Sequence, residues 1–230
     1  MVAPCPGGQV ADLGCGTGEL TTALHRHTGA AGTVGIDNSE TMLARSAPYA
    51  GGGIRFELAG IATFEPREPL DVVFSNAALH WIRGHRELFA RLAGMLKTGG
   101  QLAVQVPANH GHPSHTIADE VAREEPFASA MGGYERGVPV EEPEWYAETL
   151  DELGFREQSV RLQVYVHHLP SRTEVIEWTR GTLLTDYEKR LSPALFEAYL
   201  ARYRERLLPL LSEAEPYFYP FKRILMWARK

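Results

Sequence analysis

Cysteine is scarce in this 230-residue chain: only Cys5 and Cys15 occur, at a spacing that suits neither a zinc site nor a disulfide framework. A reducing cytoplasm is therefore the expected compartment. No run approaches the roughly 18 apolar residues that a membrane span needs, and the opening MVAPCPGG lacks the charged and apolar regions of a signal peptide. No membrane partner is expected. Basic charge is also in deficit, with 23 Lys and Arg against 29 Asp and Glu, a net charge of -6. The absence of a Lys/Arg block argues against a nucleic-acid binder held by phosphate neutralisation. Repeats and low-complexity segments are absent, a small-molecule partner is favoured, and so is a monomer. The remaining composition, 44% hydrophobic and 23% charged, suits one globular domain of residues 1–230 carrying a sizeable insertion.

Strand and helix signals alternate from the start. QVADLG reads as a strand, and Leu20, Ala23, Leu24 and His27 then recur at helical spacing. TVGIDNS is a second strand, after which Ser39 can cap a helix over Glu40 to Ser46. IRFELAG and LDVVFSN are the third and fourth strands. A helix from Gly84 to Leu96, ended by Gly99-Gly100, precedes the fifth, QLAVQV. Such alternation, with nearly unbroken apolar strands, predicts an α/β fold with a doubly wound, mostly parallel sheet. Beyond Pro107 the pattern weakens: a helix through Val121, a loop-like stretch from Pro126 to Pro143, and a helix over Trp145 to Leu153. A strand around Val160 to Val166 follows, then two or three helices up to Ser212, one of them aligning Phe196, Leu200, Tyr203 and Leu207. The last half of YFYPFKRILMWARK alternates as a strand. Helical cap segments are expected at about 107–153 and 170–215.

The stretch QVADLGCGTG combines an apolar strand, a glycine-rich turn and a helix start, and Asp37 follows in the next strand. Gly14, Gly16 and Gly18 allow a tight turn and close approach of a ligand, while the helix start offers free N–H groups. A carboxylate at Asp37 can accept from two ribose hydroxyls. A dinucleotide fingerprint GxGxxG would require glycine at position 19, where this chain has Glu19. That glutamate would repel a pyrophosphate, which counts against an NAD-dependent oxidoreductase and favours a phosphate-free ligand. S-adenosylmethionine fits, with its ribose at Asp37 and its sulfonium near Asp12.

DLGCGTG, GIDNS, DVVFSNAALHWI and LKTGGQLAVQVP together resemble the class I S-adenosylmethionine-dependent methyltransferases. NAALHW, PANHGHPSH, HHLPSRTEVIEWTRGTLL and YPFKRILMWARK extend the resemblance over nearly the whole chain to the trans-aconitate 2-methyltransferase family. The resemblance implies a Rossmann-like seven-stranded sheet with its last strand antiparallel and a helical cap inserted between the last two strands. It also implies that Gly14, Cys15, Gly16 and Gly18 line the methionine part of the cofactor, Asp37 the ribose, and Asn38 or Met42 the adenine. Ser75, Asn76 and Ala77 would face the methionyl amino group and the reacting methyl. Two departures stand out. Gly60 replaces an aspartate usual in the third-strand turn, leaving an adenine contact to be lost or met by backbone at Ile61. A helical arm usual before the first strand has no counterpart ahead of Gln9, so the expectation is either that Met1 is internal to a longer gene product or that the cofactor site is open, as in a degenerate S-adenosylmethionine-binding protein with weakened or absent activity.

Methyl transfer to a carboxylate needs no general base, because the nucleophile is already ionised at neutral pH, so alignment can carry the catalysis. An anionic acceptor, trans-aconitate or a related acid, would instead require cationic ligands. Arg172, Arg180, Lys222, Arg223 and His167 are candidates, with Trp81, Trp178 and Tyr219 able to shape an apolar pocket. A hydroxyl or amine acceptor would need a base, for which His80 or His167 is the natural candidate. His110, His112 and His115 have no third protein ligand at a recognisable spacing, and no metal is expected.

Overall fold

The computed structural model describes residues 2–230. Its first half alternates β1 (Gln9–Leu13), α1 (Glu19–Thr28), β2 (Gly32–Asp37), α2 (Glu40–Ser46), β3 (Ile54–Leu58), β4 (Leu70–Asn76), α3 (His85–Gly94) and β5 (Leu96–Pro107). Then come α4 (Pro113–Ala122), α5 (Phe127–Ala130), α6 (Pro143–Glu152), β6 (Glu157–Leu169), α7 (Glu174–Arg180), α8 (Thr185–Glu188), α9 (Pro193–Leu207) and β7 (Tyr217–Arg229). The strands form one seven-stranded sheet in the order β3-β2-β1-β4-β5-β7-β6. β1 to β5 pair in parallel, and β7 runs antiparallel to β5, with Gln105 opposite Leu225 and Pro107 opposite Arg223. Val10, Ala11, Leu13, Val72 and Val73 are buried, as strands covered on both faces require. The strand order reverses between β1 and β4, and crevices at such switch points are where doubly wound sheets bind ligands.

The chain divides into two compact units. The first comprises the chain to Pro107 with Pro139–Gln163 and Arg223–Lys230; the second comprises Ala108–Val138 and Val164–Lys222. In the first, α6 packs beside α3 through an internal hydrogen-bond chain. The Glu141 amide donates to the Tyr146 hydroxyl at 3.2 Å, which lies 2.6 Å from His85 Nδ1, and His85 Nε2 lies 3.0 Å from the Leu79 carbonyl. With the hydroxyl donating to Nδ1, Nε2–H donates to Leu79 and pins the 3-10 turn Leu79–Trp81 that follows β4. Burial lowers the pKa of His85, keeping it neutral for this role.

The second unit is built around α9, whose Phe196, Leu200, Tyr203 and Leu207 are buried with Ile117, Val121, Val175 and Leu184. Its buried tyrosines find acceptors: Tyr199 donates to the Ala118 carbonyl and Tyr203 to that of Ser114, each at 2.8 Å. Arg136 forks onto Asp119 at 3.0 and 3.2 Å, and the Tyr187 hydroxyl donates to the same carboxylate.

Three elements differ from expectation. The third helix stops at Gly94, two residues before its expected end at Leu96, because Leu96 already pairs with Leu70; the register then shifts before Val72 meets Gln101, so the Gly99-Gly100 pair lies within a bulge of β5 and does not end the helix. The stretch after Pro126 carries the short helix α5. The last strand begins at Tyr217, well before its cleanly alternating half. The stretches expected as a cap divide so that 108–138 and 164–222 form the second unit, whereas α6 lies in the first.

His112 and His115 in the second unit are held neutral by burial, their pKa values lowered to about 4 and about 3. Neighbouring Lys222, and Arg136 with His112, push the same way. A histidine with a depressed folded pKa contributes stability that is intact above its unfolded pKa of about 6.5 and is lost as pH falls below it. Urea unfolding between pH 7 and pH 4 should therefore show stability falling by up to about 1.4 kcal/mol per pH unit for each such histidine. The His115→Gln variant should lose one proton's worth of that slope.

Candidate active site

The carboxyl end of β1 carries the glycine turn, and that of β2 carries Asp37. Gly14, Gly16 and Gly18 all adopt left-handed backbone, with φ of 79°, 54° and 81°. A β-carbon on Gly14 would lie 2.3 Å from that of Ala78 and 3.5 Å from Ile61 Cδ1, so this glycine lets the turns after β3 and β4 close in. Gly16 differs: a β-carbon there would meet nothing within 4 Å. Open space above a backbone with φ > 0 is what a close-approaching ligand requires.

Two carboxylates flank this turn. Asp37 Oδ2 accepts from the Gly16 amide and Oδ1 from the Ser39 amide, both at 2.9 Å. Ser39 in turn caps α2, accepting from the Met42 amide, so Asp37, Asn38 and Met42 belong to one rigid corner. Asp12 is 1% exposed and accepts from the Thr21 hydroxyl at 2.6 Å, tying β1 to α1. Burial raises its pKa to about 6 against that hydrogen bond, and Asp37 adds to the rise. The same two carboxylates, after burial, push the neighbouring Cys15 thiol up to about 12.

At the end of β4, Ser75 is consumed internally, donating to the Leu13 carbonyl at 2.7 Å. Asn76 is half-buried and pairs in register with Gln105 of β5. Ala77 is the one non-glycine residue with positive φ among the described residues, at 54°. Its amide donates to the Gln105 carbonyl, turning the chain towards His80 and Trp81. Their rings are 4.6 Å apart, and Trp81 is 65% exposed. Next along the sheet, Arg223 Nη1 donates to the Gln105 side chain at 2.8 Å. Gln105 was not anticipated, although a polar residue closing the apolar run QLAVQV was a readable sign.

In the second unit, His167, Trp178 and Tyr219 come together: Trp178 is 4.8 Å from the His167 ring and 5.7 Å from Tyr219. Arg180 does not join them. It is exposed and lies 3.8 Å from Glu197, because residues two apart on α7 face different ways. Arg172 is likewise engaged elsewhere, on the Leu208 and Leu211 carbonyls at 3.0 Å and on Glu213 at 2.7 Å. Among the described residues, no three His, Cys, Asp or Glu side chains gather as a metal set, and no helix is long and apolar enough to cross a membrane.

Residues 10–100 match the methyltransferase domain family. In fold, the chain is similar to YcgJ from Bacillus subtilis, with a TM-score of 0.64 at 16% identity, covering 99% of this chain and 94% of that one. It is also similar to phosphoethanolamine N-methyltransferase 2 from Haemonchus contortus, solved with S-adenosyl-L-methionine, with a TM-score of 0.54 at 19% identity over 100% of this chain and 50% of that one. Sheet, glycine turn and distal acid thus define an S-adenosylmethionine-dependent methyltransferase. The trans-aconitate 2-methyltransferase of Deinococcus radiodurans is 40% identical over 100% of this chain and 90% of its own length. The protein of the same name from Mycobacterium tuberculosis is 35% identical over 96% of this chain and 84% of its own. The chain belongs to the trans-aconitate 2-methyltransferase family.

The residues at the turn fit this cofactor. A buried carboxylate with a raised pKa and a second acid beside it, with no basic side chain among the described residues hydrogen-bonded to either, favour a ligand that carries positive charge and no phosphate. Ionised Asp12 costs stability: with its folded pKa raised, its contribution is complete below pH 4 and lost as pH rises through 6, by up to about 3 kcal/mol. Asp12→Asn should therefore raise the melting temperature relative to the parent at pH 8 but not at pH 4. In calorimetry the variant should bind S-adenosylmethionine about tenfold or more weakly.

Proposed function

We propose that the chain esterifies a carboxylate of a small unsaturated acid, trans-aconitate or a close relative, to give its methyl ester. The observation that carries this reading is the change of charge along the carboxyl edge of the sheet. Asp12 and Asp37 stand at β1 and β2; Arg223, held by Gln105, stands at β7, three strand spacings from β1 or roughly 14 Å at 4.8 Å each. One end suits a cation and the other an anion. The names of the relatives support the same acceptor.

S-adenosylmethionine, when bound, supplies a methyl group activated by its sulfonium. Asp37 would accept from its ribose hydroxyls, the backbone at Gly14 to Gly18 would lie along its methionine part, and Asn38, Met42 and Ile61 would border its adenine. Asn76 and Ala77 would face its amino end. Arg223 binds and orients the acceptor carboxylate, for which the guanidinium fork is well matched. No side chain need take a proton, because the attacking oxygen is already anionic. Trp81 excludes water from one side. We further assign the helices of the second unit to a cap within a single methyltransferase domain. With both cysteines free, action as a cytoplasmic monomer suits this reading.

An acceptor bearing a hydroxyl or amine would instead use His80 as base. The pH dependence of kcat separates the two: a profile flat above about pH 5 is expected for an acid, and an inflection near 6.5 would indicate a histidine base. Arg223→Met should raise KM for trans-aconitate by roughly 10- to 150-fold, the value of one charge-assisted hydrogen bond, while S-adenosylhomocysteine affinity stays within about twofold. Unchanged KM in that variant would sink the assignment of Arg223.

A further inference from the structure

The turn that follows β4 is held in a conformation its residues do not favour. Ala77 has a φ of 54°, a left-handed backbone disfavoured for a residue with a β-carbon. Ala78, at φ -123° and ψ -37°, lies outside the regular helical and extended regions. Its β-carbon comes within 2.3 Å of the place a side chain on Gly14 would take, so this turn is seated directly on the glycine turn. Such backbone persists only where its surroundings over-determine it. Upstream, the Ala77 amide donates to the Gln105 carbonyl at 2.9 Å. Downstream, the Leu79 carbonyl accepts twice, from the Ile82 amide at 2.9 Å and from His85 Nε2 at 3.0 Å.

His85 is suited to that contact more than to packing. It is 3% exposed, with the rings of Phe89 and Tyr146 at 6.0 and 5.8 Å. An apolar side chain would fill the same space without the cost of burying two polar nitrogens. A carbonyl oxygen can only accept, so the single proton of the neutral ring must sit on Nε2, and Nδ1 must accept. Tyr146, fully buried, enforces this tautomer. Its hydroxyl lies 2.6 Å from Nδ1 and is itself the acceptor of the Glu141 amide at 3.2 Å. All of these residues belong to the first unit.

We propose that His85 is a positioning residue for the cofactor: with its tautomer set by Tyr146, it acts through the Leu79 carbonyl to hold Ala77 to Trp81 against the glycine turn. Loss of its donor releases that turn, and Ala78 then no longer bears on Gly14. This role rests on the cofactor lying at Gly14 to Gly18, as argued above, and is independent of the acceptor. It adds a means by which α3 and α6, neither of which supplies a residue to the glycine turn, keep that surface assembled.

The test uses the full chain, with S-adenosylhomocysteine as the calorimetric probe and amide hydrogen exchange on the free protein as the local readout. His85→Leu keeps an apolar body at this place and removes the donor, so it should bind S-adenosylhomocysteine about tenfold more weakly. Its Ala77 and Ile82 amides should exchange about tenfold faster, with a smaller change within β2. Tyr146→Phe, which frees Nδ1 to take the proton, should act in the same direction. His85→Gln restores a donor to Leu79 and should return the affinity to within about threefold of the parent. A residue serving stability alone would lower urea stability and leave the affinity unmoved. If His85→Leu binds as the parent does, or His85→Gln is as weak as His85→Leu, the positioning role is overturned. Gly16→Ala reports on the place of the cofactor, since its added β-carbon meets nothing in the protein but would obstruct a close ligand. If that variant also binds as the parent does, the placement of the cofactor falls too; if it alone weakens binding, only the role of His85 falls. Should His85→Leu fail to fold, Tyr146→Phe decides: weaker binding is expected, and the parent's affinity overturns the role.

Discussion

A single carboxylate joins the two turns on which the cofactor end depends. Asp37 accepts from the Gly16 amide with one oxygen and from the Ser39 amide with the other. It thereby locks the turn after β1 to the turn after β2, and each oxygen retains acceptor capacity. The turn can take this form only because Gly14 gives way to Ala78, and it is useful only because the space over Gly16 is open. Beneath it, Asp12 and Thr21 tie the strand to α1. The geometry that holds the turn together thus also buries and gathers acidic groups there, and burial first, with the neighbouring carboxylates adding to it, raises the pKa values of Asp12 and Cys15.

That charge has a consequence for the rest of the sheet edge. A parallel sheet presents the carboxyl ends of its strands at one edge, with neighbouring strands about 4.8 Å apart. Here Asp37 ends β2, and Asn76 ends β4 in register with Gln105 of β5. Asp12 lies two residues earlier in the register, on β1, and Arg223 opposes Pro107 on the antiparallel β7. Polarity passes from anionic through neutral to cationic. In the proposed transfer a carboxylate oxygen would take the methyl group as the neutral thioether leaves, so that one positive and one negative charge would be consumed, and a gradient of this kind would keep each reactant near its complement before reaction.

Most of the fold was legible because it is local. The strand and glycine turn of QVADLGCGTG, the Ser39 cap and the apolar stripe of α9 each rest on residues a few positions apart. What escaped reading depends on distant partners. The bulge before Gln101 arises because Leu96 pairs with Leu70, and nothing within LKTGG announces it. Cations were the least readable part of the candidate site. Arg172, Arg180 and Arg223 look alike in sequence, yet the first binds two backbone carbonyls, the second lies by a surface glutamate, and the third is held by a glutamine at the sheet edge. His112 was readable in principle, since a polar residue directly before Pro113 is the pattern of a capped helix start.

The buried histidines sort into two kinds, according to whether their nitrogens are engaged within the fold. His85 has both ring nitrogens engaged, on Tyr146 and Leu79, and repays its burial by fixing the turn after β4. His167 has a buried nitrogen that contributes nothing to the fold, and Asp12 carries a charge that burial disfavours. Packing alone would replace either with an apolar or neutral residue at a gain in stability. A group that lowers the stability of the folded chain, even where it accepts a hydrogen bond as Asp12 does from Thr21, is best explained by something the chain binds. A cationic cofactor would meet that requirement at Asp12.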